Sequence, residues 1–253
     1  MSRLIIFGAT GSLGSHVLRQ ALAAGQQVTV FVRTPSRLPP EARTRVSVHQ
    51  GDLSALAPAD IGQLISGHDA LVNCAGLVTE GRTFVDLVDR LVTGVESLPS
   101  AAQPVCWFLA GVAILDIGPS GRQGVDLPKV KTTYWPHRAN FERLSRSGLD
   151  WRLLCPGPMV EQPAIGVSRL RITRDTLPVQ IPALARALPG PLLLPIFASL
   201  IPQMIVPYAD AAALMLGNLD RAGAMSRHRV GLALPPGMRG RKSQWAARPR
   251  KAA

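Results

Sequence analysis

Cysteine is scarce in this 253-residue sequence, which has only Cys74, Cys106 and Cys155. The three residues are far apart, lie in apolar runs and form no CxxC pair, so neither a zinc site nor a disulfide framework is indicated. We interpret them as small buried side chains rather than reactive thiols. The sequence therefore predicts reduced thiols, no bound metal and a cytoplasmic location.

The sequence also lacks an uninterrupted apolar run long enough for a membrane span, which needs about 20 residues. Residues 182–207 are rich in leucine and isoleucine, but repeated prolines interrupt them. The apolar start at residues 4–7 is too short for a signal sequence and runs directly into glycines. We therefore expect no transmembrane segment and no export.

Acidic residues are missing from residues 221–253, which carry nine of the 28 arginines and lysines. Most of the net charge of +12 therefore belongs to this end of the chain. Because its last residues lack hydrophobic periodicity, we predict a basic, flexible tail at residues 236–253. Contact of that tail with nucleic acid or another anionic surface is the alternative, which we favour less.

Short apolar runs alternate along the chain with segments of helical length. This alternation is typical of a parallel sheet with helices on both faces. A chain of this length can bury a sizeable core as one α/β domain. The sequence therefore predicts an α/β fold with a doubly wound parallel sheet. Its predicted strands are residues 4–7, Gln27–Val32, 46–49, 70–74, Val105–Leu109 and 151–154.

Three glycines, Gly8, Gly11 and Gly14, stand between the first predicted strand and a helix predicted over residues 12–25. Gly8 allows a positive φ, Gly11 lets the backbone approach a ligand, and Gly14 lets the helix and the strand approach each other. The first helical turn then offers unpaired N–H groups to a pyrophosphate. With strands before and after it, this turn predicts dinucleotide binding, and a purely structural turn is the alternative.

The GATGSLG sequence of this turn resembles the short-chain dehydrogenase/reductase superfamily, most of all its extended and atypical branches, which include NmrA-like and flavin or biliverdin reductase-like proteins. Three further stretches are similar to that superfamily: GDL at 51–53, NCAG at 73–76 and SGLDWRLLCPGPM at 147–159. The resemblance implies a Rossmann core over residues 1–160, an aspartate near the adenine and a Pro-Gly turn beside the nicotinamide.

The second predicted strand is followed by RTPSR at residues 33–37, with no acidic residue before Glu41. An NAD site places a carboxylate here for the ribose 2′-OH, whereas an NADP site needs positive charge for the 2′-phosphate. Because guanidinium groups fork onto phosphate oxygens, we predict NADP, bound as NADPH. Ordinary solvated arginines are the alternative. The predicted cofactor-binding residues are Gly8, Ala9, Thr10, Gly11, Ser12, Leu13, Gly14, Arg33, Arg37, Asp52, Leu53, Asn73, Ala75, Gly76, Pro156 and Gly157.

Plainer roles remain open for several of these residues. Asp52 could cap a loop through its own side chain. Asn73 could hold the end of the fourth strand without touching a ligand. Pro156 and Gly157 could form only the turn that ends a strand.

The catalytic residues depart from the superfamily pattern, whose carbonyl reductases use a serine after the fifth strand and a tyrosine and lysine four residues apart. Residues 111–113 read Gly-Val-Ala where that serine is expected, and the available pair is Tyr134 with Arg138 in place of lysine. A tyrosine of intrinsic pKa about 10 needs a nearby cation to act near neutrality. Tyr134 and Arg138 are therefore the candidate catalytic residues.

Pro136 lies between these two residues. Proline is tolerated in the first turn of a helix, so we expect a helix that begins at Pro136 and leaves Tyr134 outside it. Tyr134 would then lack the one-turn relation to Arg138. His137 is an alternative proton donor, although we favour a surface or capping role for it. Flavin or quinone-like acceptors could be reduced without the triad, since the hydride chemistry is the cofactor's.

Beyond the Rossmann core, the resemblance implies a C-terminal substrate lobe over residues 161–235. We expect the apolar residues 182–207 to form an acceptor pocket or lid, with a dimer contact or a membrane-surface patch as alternatives. Residues 208–219 predict an amphipathic helix with Asp210 near its positive end. The expected function is NADP-dependent reduction of a small apolar or conjugated carbonyl, quinone or flavin-type acceptor. The alternative is a non-catalytic, NmrA-like dinucleotide sensor that binds a protein partner or nucleic acid.

Overall fold

Residues 2–241, which a computed structural model describes, contain ten strands and eight helices. The strands are β1 (Arg3–Phe7), β2 (Gln27–Val32), β3 (Ser47–Gln50), β4 (Ala70–Asn73), β5 (Val105–Leu109), β6 (Trp151–Cys155), β7 (Met159–Val160), β8 (Arg171–Arg174), β9 (Val206–Pro207) and β10 (Arg229–Ala233). The helices are α1 (Ser12–Ala23), α2 (Pro40–Arg43), α3 (Pro58–Ile65), α4 (Arg82–Glu96), α5 (Val130–Ser145), α6 (Ala183–Arg186), α7 (Gly190–Leu200) and α8 (Tyr208–Leu216).

Eight strands form one sheet in the order β3-β2-β1-β4-β5-β6-β10-β8, and every neighbouring pair is parallel except β10 with β8. The direction in which strands are added reverses between β1 and β4, which is where such sheets bind ligands. Phe7 lies in register with Phe31 on one side and with Asn73 on the other. The loops that follow β1, β2 and β4 therefore leave the same edge. The predicted doubly wound α/β sheet is confirmed.

The sheet is buried on both faces because its strands are apolar at consecutive positions. In β1, Leu4 and Ile6 belong to the cluster that packs under α1 and α8. Ile5 and Phe7 belong to the opposite cluster, which α4 and α5 cover. The predicted first helix ends as expected, since Gly25 follows α1 with a φ of +71°.

Two strands of the main sheet were not predicted from the sequence. β10 adds to β6 in parallel, and β8 then pairs with β10 in the antiparallel direction. Both strands come from residues 161–235, so this segment extends the main sheet as well as contributing α6, α7 and α8. A buried Arg229 in β10 breaks the apolar pattern that marked the other strands. Its guanidinium bonds both carboxylate oxygens of Asp116 and also Oδ1 of Asp175.

The expectation that a helix begins at Pro136 is wrong, because α5 begins at Val130 and Pro136 lies inside it. The first turn is anchored by the N–H of Val130, which donates to the carbonyl of Leu127 at 3.2 Å. Pro136 has no N–H to give to the preceding turn, which normally costs a helix about 3 kcal/mol. Burial of Pro136 and packing of Tyr134 against the core offset that loss.

The proline-interrupted residues 182–207 form α6, α7 and β9 with short connections. Leu193 and Phe197 of α7 are buried, whereas the side chains of Leu184 and Leu192 are 92% and 58% exposed. Whether this segment is an acceptor lid stays a prediction. None of the helices in residues 2–241 is both long and apolar enough to cross a membrane.

Only the beginning of the predicted basic tail falls within the described residues. There the N–H of Gly240 donates to the carbonyl of Pro202 at 2.7 Å, and Arg239 donates to the carbonyl of Ser199 at 2.9 Å. Residues 242–253 lie outside the described residues. The flexible tail therefore stays a prediction.

Candidate cofactor and catalytic site

The glycine turn after β1 is shaped by two close backbone approaches. Gly8 has a φ of +78°, and a Cβ on it would lie 2.7 Å from the backbone nitrogen of Ala75 in the loop after β4. A Cβ on Gly14 would lie 2.1 Å from the carbonyl oxygen of Gly8. Real Cβ atoms do not come this close to backbone atoms, so both positions need glycine for the fold itself.

Gly11 differs from these two, since the only atom near a Cβ there would be the Gly8 oxygen at 3.2 Å. Gly11 is the N-cap of α1, which has no side-chain cap and no acidic residue in its first turn. The N–H groups of Ser12, Leu13 and Gly14 have no acceptor among the described residues. A dinucleotide pyrophosphate fits this open cradle, because it would satisfy these donors and face the positive end of the helix dipole.

The loop after β4 lies directly against the glycine turn. The buried Asn73 accepts the N–H of Ala75 through its side-chain oxygen at 3.0 Å. Gly76 has a φ of +93° and approaches the ring of Phe84 so closely that a Cβ would clash. Asn73 therefore has the structural role that we gave as the alternative to ligand binding, since it holds the chain at the end of β4. A contact of Asn73, Ala75 or Gly76 with a cofactor stays a prediction.

Asp52 caps the short helical turn that begins at Leu53. Its carboxylate accepts the N–H of Ser54 at 3.0 Å and the hydroxyl of Ser54 at 2.8 Å, and these bonds lower the pKa of Asp52. The nearby charge of Arg33 lowers it further. The capping role is thus present, and the expected place of Asp52 near an adenine remains a prediction.

Arg33 and Arg37 are exposed at the carboxyl end of β2, on the same sheet edge as the glycine turn. Neither guanidinium forms an ion pair within residues 2–241. Both are therefore free to bind an anion at that edge.

The Pro-Gly turn after β6 joins three segments. The carbonyl of Pro156 accepts the N–H of Val112, which follows β5, at 2.8 Å. A Cβ on Gly157 would lie 2.5 Å from the carbonyl oxygen of Met204, just before β9. Gly157 therefore allows the C-terminal segment to close over the end of the sheet.

Tyr134 and Arg138 both lie on α5, one turn apart, which the sequence did not predict. The guanidinium of Arg138 lies 2.8 Å from a carboxylate oxygen of Asp126 and donates to the side-chain oxygen of Gln123 at 3.0 Å. The charge of Arg138 is therefore already paired and is less available to a neighbouring tyrosine. Tyr134 packs against the core, and its ring stacks on His137 with centroids 6.1 Å apart.

His137 is buried, and the expectation of a surface or capping histidine is wrong. The residue is only 6% exposed, and its ring stacks on Tyr134 and meets Phe84 edge to face at 5.7 Å between centroids. A Cβ on Gly111 would lie 3.1 Å from its Nε2 atom, so the imidazole fills the space beside the position where a serine is expected. Burial lowers the pKa of His137 to about 4, and the ring is neutral at pH 7.

Two other side chains have roles that were not foreseen. Asp210 is buried and accepts the N–H groups of Ile165 and Gly166 at 2.8 Å each, so it fixes the segment after β7 in addition to standing in the first turn of α8. His16 in α1 lies 2.9 Å from Glu161 and stacks on Tyr208. Both contacts join segments distant in sequence, which is why local patterns did not show them.

The cysteines have the environment expected of unreactive side chains. Cys106 and Cys155 are buried in the sheet, and desolvation raises the pKa of the Cys106 thiol to about 12. Cys74 is half-buried rather than buried as predicted, and desolvation of its thiol raises its pKa to about 12. Thiolate chemistry at neutral pH is therefore disfavoured at all three positions.

Solved structures of similar fold include several proteins of the nicotinamide-binding class. A Rossmann-fold NAD(P)-binding family protein from Shigella flexneri is 18% identical, with a TM-score of 0.62 over 100% of this chain and 100% of that chain. A proposed NADH-flavin reductase from Streptococcus pneumoniae TIGR4 is 18% identical, with a TM-score of 0.67 over 92% of this chain and 100% of that chain. ChuY, an anaerobillin reductase from Escherichia coli O157:H7, is 16% identical, with a TM-score of 0.63 over 95% of this chain and 100% of that chain.

At these identities the likeness to solved structures shows the fold alone. The sequence of residues 8–183 matches the NAD(P)H-binding family, and this match covers more than half of the chain. It begins at the first glycine of the turn and includes the loops after β2, β4, β5 and β6. The chain therefore belongs to the NAD(P)H-binding family.

Proposed function

We propose that the protein is an NADPH-dependent reductase of a small apolar or conjugated acceptor of carbonyl, quinone or flavin type. The observation that carries the proposal is the open cradle at Gly11 and the unpaired N–H groups of the first turn of α1. These groups would hold the pyrophosphate. A bound NADPH supplies the hydride from its nicotinamide, and this chain supplies binding and orientation.

The choice of NADPH over NADH is supported by charge at the end of β2. Arg33 and Arg37 are exposed, and neither is paired with a carboxylate in the described part of the chain. Their guanidinium groups would bind the 2′-phosphate through charge-assisted hydrogen bonds. No carboxylate stands between β2 and Glu41 to bond a ribose 2′-OH instead.

The acceptor would lie at the ends of β5 and β6, under the segment that contains α6 and α7. The proposed acceptor is apolar because this segment has no carboxylate and packs Leu193 and Phe197 into the hydrophobic cluster on this face of the sheet. A cytoplasmic location goes with the proposal, since three unpaired cysteines suit a reducing compartment.

A non-catalytic dinucleotide sensor is the second candidate. It is favoured by the glycine at position 111 in place of a serine, and by Arg138, whose charge is neutralised by Asp126. Such a protein would bind NADPH without oxidising it and would transmit the bound state to a protein partner or a nucleic acid.

One experiment separates the two functions. The purified protein is first titrated with NADPH, and binding is measured by fluorescence. Quinones, flavins, enones and aldehydes are then added in turn, and NADPH oxidation is measured as the loss of the absorption band of the reduced nicotinamide. We expect turnover with a conjugated acceptor. Binding without oxidation across the panel would favour the sensor, and absence of nucleotide binding would contradict both.

A further inference from the structure

His137 and Asn140 carry buried polar atoms that lack hydrogen-bond partners in the described part of the chain, and they lie beside the proposed acceptor position. Among the described residues, Nδ1 of His137 and both side-chain polar atoms of Asn140 have no hydrogen-bond partner, although all three atoms are buried. Leaving a buried polar group unpaired costs about 1–3 kcal/mol, and native structures contain few of them. His137 and Asn140 are three residues apart on α5, which places them on the same face of the helix.

The second observation is the space around the imidazole. Gly111 begins the turn after β5, and its missing side chain leaves room for Nε2 of His137. Phe84 and Tyr134 provide the remaining aromatic contacts of the ring. The imidazole therefore stands in an apolar environment at the carboxyl end of β5, on the same sheet edge as the glycine turn.

From this placement we infer that His137 donates a hydrogen bond from Nε2–H to the carbonyl oxygen of the acceptor, and that Asn140 is the positioning residue that fixes this tautomer. The inference rests on the proposed reductase function and narrows it to acceptors with an uncharged carbonyl oxygen. Asn140 would donate an amide N–H to one water that in turn donates to Nδ1, which leaves the ring proton on Nε2.

Because the ring of His137 is neutral, it acts on the acceptor as a hydrogen-bond donor. The acceptor carbon, or the far end of its conjugated system, receives the hydride, and the electron pair of the C=O double bond moves to the oxygen. Water protonates that oxygen, and His137 keeps its own proton while its N–H stabilises the developing negative charge. A preorganised donor of this kind is worth about 10²–10³ in kcat.

The same environment argues against an anionic acceptor group at this subsite. The only guanidinium on this turn of α5 belongs to Arg138, and it is already paired with Asp126. A carboxylate placed against Phe84 and His137 would be a buried charge without a counter-ion, which is costly. A ketone, enone or quinone oxygen requires only the one donor.

The test compares wild type with His137→Phe and Asn140→Leu, using menadione as a neutral quinone and benzylideneacetone as an enone. Phenylalanine keeps the ring packing against Phe84 and Tyr134 but has no donor. We expect kcat to fall about 10²–10³-fold in His137→Phe and about tenfold in Asn140→Leu, with NADPH affinity unchanged in both. His68→Gln is the matched control, because His68 is a half-buried histidine whose ring bonds Thr29 at the opposite edge of the sheet.

A spectroscopic readout does not depend on turnover. Ring ¹⁵N shifts of His137 in the NADP⁺ complex at pH 7 should show a neutral imidazole protonated on Nε2, and Asn140→Leu should give a mixture of tautomers. A ring protonated on Nδ1 would overturn the inference. Retention of more than a third of the wild-type kcat in His137→Phe would also overturn it while leaving the reductase proposal intact. Wild-type protein that binds NADPH but reduces neither acceptor nor any other carbonyl would contradict both proposals.

Discussion

The carbonyl oxygen of Gly8 lies 2.1 Å from the position that a Cβ on Gly14 would take, whereas it lies 3.2 Å from the corresponding position on Gly11. The glycines of the turn thus have separable roles. Gly14 is needed for the contact between α1 and the end of β1, whereas a Cβ on Gly11 would require a shift of only a few tenths of an ångström.

Gly11→Val should therefore abolish NADPH binding and leave a folded protein, because its side chain would fill the phosphate cradle. Gly14→Val should instead lower the free energy of unfolding by about 3 kcal/mol, since the overpacked backbone must move. Circular dichroism melts and NADPH titrations of both variants check this. Unchanged NADPH affinity in a folded Gly11→Val protein would contradict the proposed cofactor site.

Cofactor preference should depend on Arg33. Wild type should bind NADPH more tightly than NADH, and Arg33→Asp should reverse the order, because it removes a phosphate donor and adds a repelling carboxylate. Titrations of both nucleotides with both proteins measure the effect. Arg19, an exposed arginine of α1, gives a control in Arg19→Asp. Equal affinity of wild type for the two nucleotides would refute the assignment of NADPH.

Tyr134→Phe should have only a modest effect on turnover. The variant keeps the ring that stacks on His137 and loses only the hydroxyl, while Arg138 remains paired with Asp126. General acid catalysis by this tyrosine would be worth about 10²–10⁴ in rate. Steady-state rates with the best acceptor decide the matter, and a loss of 10³ or more would show that Tyr134 and Arg138 act as a catalytic pair after all.

Acid should destabilise the fold through His137. Burial lowers the pKa of His137 to about 4 in the folded protein, below its value of about 6.5 in the unfolded chain. As the pH falls, the unfolded state therefore binds a proton before the folded state does. The free energy of unfolding should decrease by about 3 kcal/mol between pH 6.5 and pH 4.

Urea unfolding at several pH values measures this loss. It should be smaller in His137→Phe, which has no group to titrate there. His68, whose pKa is also lowered by burial, contributes in the same direction in both proteins. An identical pH dependence of wild type and His137→Phe would show that the ring is not buried as described.

Deletion of residues 242–253 should leave the melting temperature and the NADPH affinity nearly unchanged. The predicted tail begins at residue 236, but Arg239 and Gly240 bond the carbonyls of Ser199 and Pro202. A cut after Arg241 keeps these contacts. A large fall in melting temperature after this shorter deletion would show that the basic tail is part of the folded body.

Local sequence determined six strands of the main sheet and the glycine turn. Buried parallel strands are short apolar runs, and a helix after a glycine turn has a recognisable stripe, so both can be detected within a few residues. The match that places the chain in its family begins in that turn. Arg33 and Arg37 were placed correctly at the end of β2 for the same reason, because their position follows from the strand that precedes them.

The tertiary structure alone decided what lies behind the acceptor position. Pro136 begins a helix according to local rules, yet packing against the core holds six residues of α5 ahead of it. His137 looks like a surface or capping residue until Phe84 and Gly111 are brought against it from two other segments of the chain. Burial, and with it the charge state of a histidine, depends on neighbours distant in sequence, and no periodicity within α5 could have specified them.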